Sequence, residues 1–174
     1  LTYTTLLNKR KGIIHTSISK QKALIWLIEN ENLRNNKILL FHERIGIANL
    51  IFQFLKKSGF QAGVYHTGLP LKERIKSIAD YREGNTKILV SCRALDEGFD
   101  VPESEVGIIV AGTSSVRQWI QRMGRILRKT PGKEYSTIYV IFADLVEKDV
   151  FKETELREFE REALTVELIN LTYQ

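Results

Sequence analysis

The sequence predicts an α/β fold in which a mainly parallel central sheet carries helices on both faces. Two observations predict it. Short apolar runs rich in β-branched residues recur along the chain, and amphipathic helical stripes alternate with them. A third, 174 residues with 43% hydrophobic and 27% charged composition, fits one domain with a sizeable core.

Leu24, Leu27 and Ile28 predict a helix ahead of the first strand, ILLF at 38–41. Ala48, Ile51, Phe52 and Leu55 form one stripe of a second helix, which Gly59 ends. AGVY at 62–65 is the next strand. Leu71, Ile75, Ile78 and Ala79 then mark a third helix, entered through Pro70 and ended near Gly84. KILVS at 87–91, VGIIV at 106–110 and STIYVIF at 136–142 complete the strands. No internal repeat or low-complexity linker interrupts the order.

Between the last two runs lies RQWIQRMGRILRK, from Arg117 to Lys129. On a helical wheel Gln118, Gln121, Arg122, Arg125 and Arg128 fall within roughly 120° of one another, opposite Val116, Trp119, Ile120, Met123, Ile126 and Leu127. No acidic residue stands between Glu105 and Glu134, so this polar face has one sign. Guanidinium groups present planar forks of donors that suit phosphate or carboxylate, which makes an anionic ligand the expectation. A basic helix that is merely solvated on one side is the alternative.

Charge divides the chain. Residues 1–143 hold 22 Lys+Arg against 12 Asp+Glu, a net of +10, while residues 144–174 hold 4 against 9, a net of −5. A basic body favours a polyanionic partner. We expect a domain over 1–143 and an acidic helical extension over 144–174, in which Leu156, Phe159, Ala163, Leu164, Leu168 and Leu171 form the apolar stripe. One cysteine, Cys92, excludes an internal disulfide, and His15, His42 and His66 lie too far apart for metal-ligand spacing. No metal site is expected. No apolar run is long enough to cross a bilayer and no signal peptide opens the chain, so no membrane association and a cytoplasmic location are expected. The only methionine is Met123, so the chain is expected to be a piece of something longer.

In such sheets the ligand-binding edge is built from loops at the carboxyl ends of the strands. HERIG follows ILLF, HTGLPLKER follows AGVY, and CRALDEGFDVP follows KILVS. Asp96, Glu97 and Asp100 around Gly98 allow two readings, a divalent-metal cluster or a turn where Gly98 admits close backbone approach. Three acids with no histidine and no second cluster favour the turn.

Taken together, ILLF, HTGLPLKER, VSCRALDEGFDVP and SSVRQWIQRMGRILRK resemble motifs IV, V and VI of the second RecA-like domain of superfamily 2 helicases, over about 38–129. LDEGFDVP and RQWIQRMGRILR are most similar to the xeroderma pigmentosum group B type of repair helicase and to restriction-type translocases. The resemblance implies a RecA-like three-layer domain. It also implies that Gln121, Arg122, Gly124, Arg125 and Arg128 match QRxGRxxR, with Arg125 and Arg128 as catalytic fingers on the terminal phosphates of ATP and Gln121 and Arg122 beside the nucleotide. By the same resemblance Gly98 and Asp100 lie near the nucleotide. The resemblance also implies that Ser91 touches a nucleic-acid backbone. The basic body adds as candidates for that contact Arg93, which could equally be a surface residue, and the loop with His66, Thr67 and Gly68, and DNA is expected in preference to RNA.

The chain holds no GxxxxGK[ST] and no acidic Walker B box; its one Gly-Lys, Gly132-Lys133, is followed by Glu134. ATP and its Mg2+ are therefore expected to be held mainly by an N-terminal RecA-like domain of the same polypeptide, and this chain alone is expected not to hydrolyse ATP. The alternative reading is a non-enzymatic nucleic-acid-binding or adaptor module that kept the fold.

Overall fold

The computed structural model describes residues 18–92, 104–110, 120, 121, 123, 124, 127 and 136–143, together with 165, 167, 169 and 171. The elements in chain order are α1 (Ile18–Asn30), β1 (Ile38–Phe41), α2 (Ile45–Lys57), β2 (Ala62–Tyr65), α3 (Leu71–Arg82), β3 (Ile88–Ser91), β4 (Val106–Val110) and β5 (Thr137–Ile141). All strand pairings are parallel, in the order β2-β3-β1-β4-β5. Every residue of β1, β3 and β4 is buried, whereas in β5, at the edge, only Ile141 is. This is why the inner strands read as unbroken apolar runs: helices cover both of their faces.

Alternate residues of each strand feed two separate cores. Ile38, Leu40, Val64, Val90 and Ile108 pack with Leu24 and Ile28 of α1 and with Ala48, Ile51 and Leu55 of α2. Leu39, Phe41, Tyr65, Leu89 and Ile109 pack with Tyr81 of α3 and with Met123 and Leu127. Ile120, Gln121, Met123 and Gly124 are helical, and Leu127 N–H donates to Met123 O at 2.9 Å. The apolar side expected for the arginine-rich stretch thus docks on the second face of the sheet at each described position.

One expectation needs correction. The stripe expected to face the core on α3 was Leu71, Ile75, Ile78 and Ala79, yet Leu71 is 64% and Ile75 61% exposed. The helix is instead turned to bury Tyr81, with Ile78 packed beside it. An aromatic ring buries more surface than either aliphatic side chain and its hydroxyl needs a partner, which it finds in a 2.9 Å hydrogen bond with Ser104 Oγ. Burial pushes the Tyr81 phenol well above its ordinary value, so it stays neutral in that bond. In the acidic tail, Thr165, Glu167, Ile169 and Leu171 are neither helix nor strand, and of the expected apolar stripe only Leu171 is among the described residues. Thr165 and Ile169 are β-branched, and such side chains lose rotamer freedom in a helix. Tyr139 of β5, which donates to Glu31 Oε2 at 3.3 Å, has its hydroxyl pKa raised by burial and then by Glu31 and Glu167. The rest of the extension, 144–164, 166, 168, 170 and 172–174, falls outside the described residues.

Candidate functional site

Because every strand runs the same way, Phe41, Tyr65, Ser91 and Val110 all end at one edge. Backbone bonds lace the first turns beyond them. His42 N–H donates to Ser91 O at 3.0 Å, and Cys92 N–H donates to Tyr65 O at 3.2 Å. His42 is fully buried, and its Nδ1 accepts the Arg44 N–H at 3.0 Å, shaping the entry to α2.

The loop after β2 carries His66, Thr67 and Gly68. His66 is 3% exposed, and its Nε2 donates to Asn49 Oδ1 on α2 at 3.0 Å. Burial lowers its pKa, which favours the neutral ring. A folded-state pKa below the ordinary value means that the stabilisation from the neutral ring is complete above pH 6.5 and is lost as pH falls through the lowered value. Thr67 and Gly68 are exposed, and Leu69 N–H closes the turn on His66 O at 3.1 Å.

Three buried side-chain atoms have no hydrogen-bond partner among the described residues: His66 Nδ1, Ser91 Oγ and Arg74 Nε. His66 and Ser91 stand at the carboxyl ends of β2 and β3, and Arg74 near the start of α3. Ser91, in register with Tyr65 and Phe41, shares their face of the sheet. His66 lies toward α2 on the other side. Native interiors leave few such atoms unsatisfied, so each of these polar atoms asks for an explanation beyond its own packing.

Of the residues expected at the site, His66, Thr67, Gly68, Ser91 and Gln121 are described. The structure brings the first four to one edge, with Ser91 1% exposed and Thr67 and Gly68 forming the outer surface. Gln121 is half-buried on the helix that packs through Met123. Arg93, Gly98, Asp100, Arg122, Arg125 and Arg128 lie outside the described residues, as do Asp96 and Glu97. Sequence reasoning missed Arg74 and Asn49. The signal for Arg74 is a charged residue at i, i+4, i+7 with Ile78 and Tyr81; for Asn49 it is an amide between Ile45 and Phe52 on one stripe. No cluster of metal-ligating side chains occurs among the described residues, and no described helix is long and apolar enough to cross a membrane.

Comparison with known proteins places this edge in context. The family model described as helicase conserved C-terminal domain matches residues 19–130. The DNA 3'-5' translocase XPB2 of Sulfurisphaera tokodaii is 31% identical over 99 residues, 57% of this chain and 21% of that protein. The ATP-dependent RNA helicase SUB2 of Yarrowia lipolytica is 29% identical over 107 residues, 62% of this chain and 24% of that protein. The chain thus spans about a quarter or less of the length of these relatives. The C-terminal domain of the DEAD-box protein Dbp5 superposes with a TM-score of 0.56 at 20% identity, covering 84% of this chain and 92% of that one. Its likeness supports the RecA-like fold. One relative is named for DNA and one for RNA, which gives no support to the preference for DNA expected from the motifs.

Proposed function

The chain belongs to the helicase conserved C-terminal domain family, and from that premise we propose that it is the C-terminal motor domain of an ATP-dependent superfamily 2 helicase or translocase. It supplies arginine fingers and part of a nucleic-acid track to an N-terminal ATP-binding domain. The observation that carries the reading is the strand-end edge, where His66 Nδ1 and Ser91 Oγ are buried without hydrogen-bond partners among the described residues and Thr67 and Gly68 are exposed.

The motor role rests on the helix that holds Met123. Met123 packs on the sheet, and in the helical pattern read from the sequence Gln121, Arg125 and Arg128 belong to the opposite face, the side from which a nucleotide held by another domain would come. ATP, when bound there, supplies the phosphoryl group whose transfer to water drives the motor. Gln121 supplies hydrogen bonds, and Arg125 and Arg128 supply fixed positive charge where negative charge develops. Gly124 is exposed, and a Cβ added there meets nothing within 4 Å. Packing among the described residues does not require this glycine, and a helix interior disfavours it. The proposed contact with another domain gives it a reason.

Binding tests the track. Backbone contact without base readout gives weak affinity that falls as salt rises, since counterion release drives it. For about three phosphates on a single strand the expected loss is about 20-fold between ~50 and ~200 mM salt. Filter binding of labelled oligothymidylate and oligouridylate at the two salt concentrations checks this. Affinity that ignores salt, or that depends strongly on base sequence, counts against the track.

A further inference from the structure

Asn49 stands in the middle of α2, on the stripe that Ile45 and Phe52 continue. Asparagine is a poor residue for a helix interior, and a part-buried amide is costly unless its bonds are made. Here the bond is made across 17 residues of sequence: Asn49 Oδ1 accepts from His66 Nε2 at 3.0 Å. On the other side of the ring the backbone of Gly68 closes over Nδ1, where an added Cβ would stand 3.1 Å away, and 3.6 Å from Ile45 Cδ1. The imidazole is therefore clamped between α2 and the loop that follows it. Since Leu69 N–H returns to His66 O at 3.1 Å, Thr67 and Gly68 hang from a turn rooted in that ring.

We propose that Asn49 is a positioning residue for nucleic-acid binding: by accepting the His66 Nε2–H it fixes the imidazole, and the imidazole sets where Thr67 and Gly68 stand over the strand ends. The part of this that concerns nucleic acid rests on the function proposed above; the hold on the loop does not. Asn49 itself touches no strand. A neutral ring agrees with the arrangement, because Nε2 then carries the proton that Asn49 receives and Nδ1 is left bare beneath Gly68.

The test compares the chain with Asn49→Leu, which keeps the shape without an acceptor, and Asn49→Asp, which keeps an accepting oxygen. Amide hydrogen exchange at Thr67, Gly68 and Leu69, the melting temperature, and affinity for labelled oligothymidylate and oligouridylate are read for each. In Asn49→Leu, exchange in the loop is expected to rise about 5- to 10-fold, the population shift that loss of one net hydrogen bond gives, with exchange in β1 and β3 unchanged. Affinity falls by a similar factor. Asn49→Asp returns the loop to slow exchange, a rescue that loss of helix packing alone does not produce. Natural exchange in Asn49→Leu overturns the proposal, and so does faster exchange with affinity intact. A natural chain that binds neither oligonucleotide overturns the proposed function instead, and loop exchange then decides the hold of Asn49 by itself.

Discussion

Arg125→Ala or Arg128→Ala, made in the full-length protein, is expected to lower nucleic-acid-stimulated ATP hydrolysis by about 10³-fold while ATP affinity changes far less. The reason lies in when the charge is needed. In the proposed motor, ground-state ATP would be held by a phosphate-binding loop and Mg2+ of the other domain, since this sequence has no such loop, and these arginines would contribute little to that grip. As the terminal phosphoryl group separates, negative charge grows on the oxygens that a finger faces, and an interaction stronger in the transition state than in the ground state appears in kcat. Replacement by lysine tests the geometry: the charge remains, but the planar fork does not. Steady-state turnover beside equilibrium binding of a fluorescent ATP analogue reads the two quantities. Equal losses in both, or none in either, would remove the finger role.

Gly107→Val is the substitution expected to harm the fold most. Gly107 sits in β4, in register with Leu39 of β1 and Ile138 of β5, on the face against which Met123 and Leu127 pack. A Cβ built there stands 2.1 Å from Met123 Sδ, 2.9 Å from Met123 Cγ and 3.1 Å from Leu127 Cδ1. Glycine is a poor strand residue, so its presence here answers to that close approach. Methionine is flexible enough to give way partly for alanine, for which we expect a loss of about 1–2 kcal/mol, but two further methyl groups meet a fully buried neighbour and should cost about 3 kcal/mol. A urea midpoint lowered at constant slope records it. Met123→Ala combined with Gly107→Ala should lose less than the two single changes together, because the space vacated by the thioether receives the new methyl. Strict additivity would show that the two residues do not share that space.

These cases mark what was legible in the sequence. The four-residue apolar runs ILLF, AGVY and ILVS became strands because inner parallel strands need apolar side chains on both faces, a pattern visible without any partner. The rotation of α3 was not legible. Leu71-Ile75-Ile78 and Arg74-Ile78-Tyr81 are overlapping stripes of one helix, and only the surface of β2 and β3 selects the second. That the loops holding His66 and Ser91 meet at one edge was readable from the order of the strands along the chain. The link from Asn49 to His66 was not, because it joins two elements whose separation in space no local pattern encodes. Gly107 in VGIIV looked like a weak point of a strand until Met123 was found above it.

The sheet order has a consequence during synthesis. β1 occupies the centre, yet it is made before either of its neighbours: Ile38 pairs with Ile88, 50 residues on, and with Val106, 68 residues on. At translation rates of about 5–20 residues per second, ILLF waits about 3–14 s for both edges to be covered. Throughout that interval a fully apolar strand has its hydrogen-bonding groups open to any chain nearby. A ribosome paused between Ile88 and Val106 would leave β1 paired on one side only, so the pace of translation across the segment after β3 governs how long the nascent domain is exposed to mispairing.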